Sequence, residues 1–323
     1  MQTFSTFLIV LGSRLASALI QLWVIATLVF SLIYIMPGDP VLMLLGPDSS
    51  PSPEAVHAMR HQLGLDQPVL TQYVNWLGGA ALGDLGNSLN GYPVADYVSG
   101  SLPKTMELAV AAILIATVIG VPIGIVAALR RGRFLDGLLS TLSTLGISVP
   151  VYILGTLFIL LFSLKLGWLP SSGYTDISRS VFLHFQKLAL PALTLGLGLA
   201  ASIARMTRSS MLEILGRDFV RSLRARGMPE HRVILLHVLR NASIPIVTII
   251  GLQLGNLMGG TVLVEALFNW PGMSTLLVTA ISNRNYPLAQ GSILVIAALF
   301  ILINLCVDIL YSLLDPRIRR KRA

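Results

Sequence analysis

Six stretches of the chain stay apolar for about the 20 residues that a helix needs to cross a bilayer core. They run from Leu15 to Met36, Leu108 to Leu129, Leu138 to Leu164, Leu188 to Ala204, Ile244 to Phe268 and Leu288 to Leu314. The fourth is shorter, and its pattern allows an amphipathic extension. The first is too long for the apolar part of a signal peptide. It ends in Met36-Pro37-Gly38-Asp39-Pro40 rather than at a small-residue cleavage site, so it reads as a retained helix. The pattern predicts an all-α, polytopic membrane protein with about six transmembrane helices. Pro122 and Pro150 fall inside the second and third stretches, where each removes a backbone donor and can bend its helix.

Composition agrees. Of 323 residues 54% are hydrophobic and 12% charged, against about 25% charged in a soluble domain. The net charge of +8 could mark a nucleic-acid binder, but its distribution argues otherwise. With the N-terminus inside, only Arg60, Lys104, Lys165, Arg179, Lys187 and Arg284 of the 23 Lys and Arg fall outside. The others flank the inner ends of the spans, as the positive-inside rule requires. Both termini are therefore expected in the cytoplasm, and no nucleic-acid partner is expected.

The segment between the first two spans is long and acidic, with Asp39, Asp48, Glu54, Asp66, Asp84 and Asp96. Two short helices fit it. One covers Ala55 to Leu63, with Ser52 as N-cap, Pro53 at the first helical position and Gly64 past its end; the other covers Gln72 to Leu82. A soluble partner outside the membrane could touch here.

Few polar groups lie at membrane depth, where they would mark function. Glu107 sits near the outer start of the second span, Glu265 near the outer end of the fifth and Asp308 in the inner half of the sixth. Glu265 and Glu107 are candidates for a pathway or gate, as are Gln253 and Asn256. Asp308 reads first as a hydrogen-bonded interface residue. Gly251, Gly255 and Gly259 recur every four residues and favour close helix packing or a subunit contact. The single cysteine, Cys306, reads as a buried small hydrophobe. No metal-ligand pattern and no catalytic set of Ser, His or paired acids is evident; His57 and His61 lie outside, and His184, His231 and His237 lie beyond the clear spans. An ion-coupled carrier is the rival transport reading, but no relay of buried acids crosses the bilayer.

The most informative segment runs from Arg217 to Val233 between the fourth and fifth spans. Asp218 is a fitting N-cap, Gly227 a fitting C-terminal stop and Pro229 a new start. The result is a two-turn helix with Phe219, Val220 and Leu223 as an apolar patch, flanked by Arg221 and Arg224. Such a helix either docks on a partner or lies on lipid headgroups.

This segment resembles the cytoplasmic EAA loop of ABC-importer permeases. Counted back from Gly227, the Glu-Ala-Ala positions of that family fall on Arg221, Ser222 and Leu223, and the chain departs from the consensus at all three. The departure is similar to the peptide/nickel branch, whose loops read Tyr-x-Arg-Thr-Ala-Arg-Ala-Lys-Gly; the run Asp218 to Gly227 follows that version. Other markers keep the family order: Met36-Pro37-Gly38-Asp39-Pro40, Leu63-Gly64-Leu65-Asp66-Gln67-Pro68, Gly83-Asp84-Leu85-Gly86, Ala204 to Met211, His237 to Ala242, Asn269-Trp270-Pro271-Gly272 and Asp315-Pro316-Arg317-Ile318-Arg319.

The resemblance implies a type I ABC importer permease fold (MetI-like) of the B type in a dipeptide, oligopeptide, glutathione or nickel importer of the bacterial inner membrane. Residues 1–36 would carry the first span, 37–104 an external segment, 105–315 the transmembrane domain with a coupling loop at about 212–240, and 316–323 a basic tail. Phe219, Val220, Arg221, Ser222, Leu223, Arg224, Ala225, Arg226 and Gly227 would form the ATPase-coupling helix. The implied partners are a second, C-type permease, one or two ATPase subunits and an extracytoplasmic binding protein. The chain lacks a Gly-x4-Gly-Lys-Ser/Thr phosphate loop. No cofactor of its own is expected; ATP and Mg would bind to the ATPases.

Overall fold

The structure is a computed structural model that describes residues 2–35, 52–62 and 66–314. The markers at 36–40, 63–65 and 315–319, the predicted stop at Gly64 and the basic tail lie outside the described residues.

Helix α1 (Gln2–Ile35) is followed by α2 (Pro53–Gln62) and α3 (Val69–Ala81), close to the two short helices expected there. The long α4 (Val94–Leu129) carries Pro103 and Pro122 without ending at either. Next come α5 (Phe134–Ser148) and α6 (Val151–Phe158), the latter continuing as a π-helical stretch from Ile159 to Lys165. Helix α7 (Val181–Leu215) precedes the short α8 (Asp218–Ala225). A helical turn, Glu230–Arg232, and a π-helical stretch, Val233–Val238, lead into α9 (Leu239–Gly260). Helices α10 (Val262–Leu267), α11 (Met273–Ser282) and α12 (Tyr286–Leu314) complete the described chain. Among the described residues five helices are long and apolar enough to cross a membrane, and the bent α5–α6 pair, taken as one broken span, makes a sixth.

Two spans differ from the sequence reading. The third, expected as one helix from Leu138 to Leu164, bends by 100° between α5 and α6. Pro150 disfavours helical geometry at the residue before it, and Val149 is extended (φ −78°, ψ 122°). The fifth, expected from Ile244 to Phe268, stops at Gly260 and resumes as α10. Pro245 sits near the start of α9 without ending it.

The bundle is organised by the pairing of α4 with α7. A methyl group on Gly120 would strike the Ala200 carbonyl and Ile203; one on Gly124 would lie 2.5 Å from both the Ala204 carbonyl and Thr207 Cβ. From the other side, a methyl on Gly196 would lie 2.9 Å from the Ala112 carbonyl. Three glycines thus let two backbones meet, which suits lipid, where apolar surface alone gives helices little reason to associate. Around this seam Leu108, Leu190, Leu195, Val264, Phe268 and Trp270 form the main core.

Gly251 and Gly255 meet Val307 and Asn304 of α12, whereas a methyl on Gly259 would meet nothing within 4 Å. The predicted stripe is therefore a packing face only over its first two members. Helix α1 joins α12 through the Arg14–Asp308 ion pair and a 3.1 Å bond from Gln290 Nε2 to the Val29 carbonyl. Asp308 is the interface residue the sequence pointed to. Cys306, expected to be buried, is exposed on α12.

Gly124→Ala should cost about 1–3 kcal/mol through overpacking against a backbone carbonyl, and lower the melting temperature in detergent. Gly259→Ala should not lower it. Equal melting of Gly124→Ala and the parent would refute the close approach of α4 and α7.

Candidate functional site

One end of the bundle collects Arg130, Arg131, Arg133 and the arginines of residues 205–240. It is called here the basic end, and α8 lies on it. Arg217 occupies the N-cap position with extended φ/ψ, and Asp218, expected as the cap, is the first helical residue. Its carboxylate still stands in the first turn, where it suits the helix dipole. The helix stops where Gly227 takes a φ of +76°. The Gly227 N–H donates to Arg224 O and the Met228 N–H to Leu223 O, the paired bonds of a glycine-terminated helix.

The apolar patch of α8 divides. Val220 is fully buried, and Leu223 and Met228 pack beside it against a cluster of Met211, Ile214, Val233, Val238 and Ile246. Phe219, Arg221, Ser222, Ala225 and Arg226 are exposed. Expecting Phe219, Val220 and Leu223 to form one docking face is thus corrected: two of the three anchor the helix to its own spans. Their register, one turn apart on the inner side, is set by the ends of α7 and α9. Arg224 reaches across the break to Glu230, with Nε 3.1 Å from Oε2, and this bond raises the guanidinium above its ordinary value. Being exposed, the pair adds little stability. It sets how α8 sits on the following turn.

Above α8, Arg208 of α7 grips Asp136 of α5 with a two-pronged contact, Nε to Oδ1 at 2.6 Å and a terminal nitrogen to Oδ2 at 2.9 Å. The Gly132 N–H donates to the same carboxylate at 3.0 Å. Asp136 is 7% exposed. Sequence reasoning missed this acid; its isolation beside Arg130, Arg131 and Arg133 was the available signal. Through the clamp, α7, which carries α8 at its end, holds the first half of the broken third span.

A cavity of about 380 Å³ opens at that break. It is lined by Gly146 and Pro150 on the α5–α6 side, Gly198 and Ser202 on α7, and Asn256 and Gly260 on α9. Asn256 Nδ2 donates to Gln253 Oε1 at 3.1 Å. Of the four polar candidates, Asn256 faces this cavity and Gln253 steadies it.

The two acids do not. Glu265 has no exposed surface. Oε1 accepts hydroxyl bonds from Thr105 at 2.8 Å and Thr261 at 3.1 Å, and Oε2 accepts the Thr275 N–H at 3.0 Å. Thr105 Oγ1 also accepts the Met273 N–H at 2.7 Å. A side chain on Gly272 would collide with the Glu265 carboxylate, so only glycine lets the loop lie over it. Beside it, fully buried Trp270 donates Nε1 to the Lys104 carbonyl at 2.9 Å and meets Tyr174 edge-on at 4.9 Å. The sequence run Asn269-Trp270-Pro271-Gly272 is therefore the cover of a closed knot joining α4, α10 and α11. Glu107 pairs with His184 of α7, whose other ring nitrogen lies 2.8 Å from the Thr175 carbonyl. The pathway expectation for Glu265 and Glu107 is replaced by a tie between elements. A ring of hydroxyl and amide donors offsets part of the cost of burying this carboxyl group. His184 lies inside α7, not beyond the spans as the apolar pattern indicated.

Five apolar helices, a bent pair that makes a further span and a short anchored helix at the basic end define a class: a multi-pass membrane protein. The comparisons agree. Residues 120–320 match the binding-protein-dependent transport system inner membrane component family, and residues 6–93 match its N-terminal companion family. The chain belongs to this family, as the permease subunit of an ABC importer in the inner membrane. Its ATPase and binding-protein partners are separate subunits, and the chain is not itself an enzyme. This membership sets aside the ion-coupled carrier.

The glutathione transport system permease protein GsiC of Escherichia coli O6:H1 (strain CFT073) is 42% identical over 95% of this chain and 98% of its own length. A relative from Brucella suis biovar 1 (strain 1330), named as a peptide permease, is 43% identical over 95% of this chain and 97% of its own. An inward-facing structure of the MetNI methionine ABC transporter has a TM-score of 0.57 at 20% identity, covering 68% of this chain and 96% of that one, and shows a shared fold.

The Asp136–Arg208 clamp should show non-additivity. In a thermal or denaturant cycle of Asp136→Asn, Arg208→Gln and the double variant, a coupling of about 1–3 kcal/mol is expected. Additive losses would mean that the two side chains do not act together.

Proposed function

We propose that this chain forms half of the translocation pathway for di- or oligopeptides, completed by a related C-type permease. The carrying observation is the short helix α8, anchored inward by Val220 and cut off from the next span at Gly227. It has a face turned away from its own bundle, Phe219, Arg221, Ser222, Ala225 and Arg226, free for an ATPase groove. Residues 212–240 act as the coupling loop of a transmembrane domain spanning 105–315. Residues 37–104 form the external segment toward the binding protein, and both termini face the cytoplasm together with the basic end. The skew of Lys and Arg supports that orientation.

In this reading the ATPases hold ATP and Mg, and the chain needs no cofactor. Their closure pushes on α8. Val220 passes the push to α7 and α9, and the Arg208–Asp136 clamp passes it to α5. A bundle with two packings, biased by nucleotide, then opens alternately to each side. Gly251 and Gly255 keep α9 and α12 together during the motion. Peptide is the first substrate class because the Brucella suis relative is named for it. Glutathione, itself a small peptide, is the second because the GsiC relative is named for its transport.

The test is the complete complex in proteoliposomes. With ATP and binding protein, it should take up a dipeptide or glutathione, and the substrate-loaded binding protein should stimulate ATP hydrolysis. Phe219→Asp should insert normally yet lower that stimulation about tenfold or more. Full stimulation in Phe219→Asp would overturn the docking role. Failure of both substrates to be taken up by the parent complex would overturn the substrate class.

A further inference from the structure

A second cavity lies along the same α5–α7 seam, nearer the basic end. It has a volume of about 140 Å³ and is walled by Gly124 of α4, Ser140, Ser143 and Thr144 of α5, and Arg205 and Arg208 of α7. Between it and the cavity at the bend, α5 and α7 touch: a methyl on Gly146 would lie 3.2 Å from Ala201 Cβ. The two cavities are thus successive chambers on one seam, with a narrow contact between them.

The chamber's chemistry is uneven. Arg208 is engaged by Asp136, so its charge is matched. Ser140 donates toward Asp136 at 3.4 Å, Ser143 to the Leu139 carbonyl at 2.8 Å and Thr144 to the Ser140 carbonyl at 3.0 Å, so the hydroxyls are also occupied. Arg205 is exposed and, among the described residues, has no ion-pair or hydrogen-bond partner. The chamber therefore carries one uncompensated positive charge, presented as a planar fork of donors that fits a carboxylate.

We infer that Arg205 is a carboxylate station on the exit side of the pathway, where the C-terminal carboxylate of a peptide rests after passing the Gly146–Ala201 contact. The inference rests on the importer reading above and adds a residue and a ligand group to it. A single solvent-accessible cation holds a carboxylate weakly, and a pathway needs binding weak enough to release its cargo. A dissociation constant on the order of 1 mM is expected. A lipid phosphate offers the same oxyanion chemistry. The substrate is favoured because the chamber lies between α4, α5 and α7 and continues the seam that holds Asn256 at the bend.

The test uses the permease pair in phosphatidylcholine nanodiscs, with radiolabelled dialanine as probe in equilibrium dialysis. Saturable binding is expected, falling at least about fivefold in Arg205→Gln and staying nearer the parent in Arg205→Lys. Unlabelled dialanine should compete, and dialanine amide, which lacks the carboxylate, should compete at least about fivefold less well. If Arg205→Gln does not fold, the amide comparison on the parent protein decides alone. Equal binding to Arg205→Gln, equal competition by the amide, or no saturable binding overturns the station. So does loss of dialanine binding when phosphatidylglycerol replaces part of the phosphatidylcholine, which would assign Arg205 to a lipid. Uptake by the complete complex separates the two readings: uptake without Arg205-dependent binding removes only the station, whereas absence of both removes the peptide importer.

Discussion

The close crossing of α4 and α7 is the constraint on which the other parts depend. Gly120, Gly124 and Gly196 remove the side chains that would hold the two backbones apart. In water, burial of Leu and Ile would drive such a pairing. In lipid that drive is absent, and contact has to come from fit. Once α7 is fixed against α4, it presents Arg208 to α5, His184 to Glu107 and its lower end to α8. Three ties to other elements are thus hung on one helix.

This arrangement separates a rigid end from a working end. At the far end, Glu265, Thr105, Thr261, Thr275 and Trp270 form a closed set of bonds with no spare acceptor facing open space. Such a knot holds α4, α10 and α11 as one body. Toward the basic end the third span is bent in its middle. Helix α8 therefore lies beside the bent span and away from the knot. Asn256 and Gly198 line the cavity at that bend.

Much of the site could be read along the chain. The loop from Asp218 to Gly227 is local chemistry: a first-turn acid, a two-turn apolar pattern and a glycine able to adopt positive φ. Its start and stop follow from neighbours within ten residues, so the sequence reading of its bounds differs only by one residue at the cap, whereas the split of its apolar patch depends on the ends of α7 and α9. Residues whose role depends on distant partners were less legible. Asp136 means little without Arg208, 72 residues away. His184 gains its role from Glu107, and Glu265 changed from a pathway candidate to a buried tie because Gly272 and Met273 fold over it.

The sequence by itself determined the number and rough extent of the spans, the clustering of arginine at one end and the order of motifs that marks the family. These depend on composition and local pattern, which survive any choice of packing. Only the tertiary structure decided which side of each span is buried within the chain and which is left exposed. Hydropathy is silent there, because a buried Leu and a lipid-facing Leu are equally apolar. The fold also decided that Val220 turns inward while Phe219 stays exposed, and that Pro150 breaks its span where Pro122 does not. Each of these outcomes is set by what lies across the gap from the residue, which no window along the chain contains.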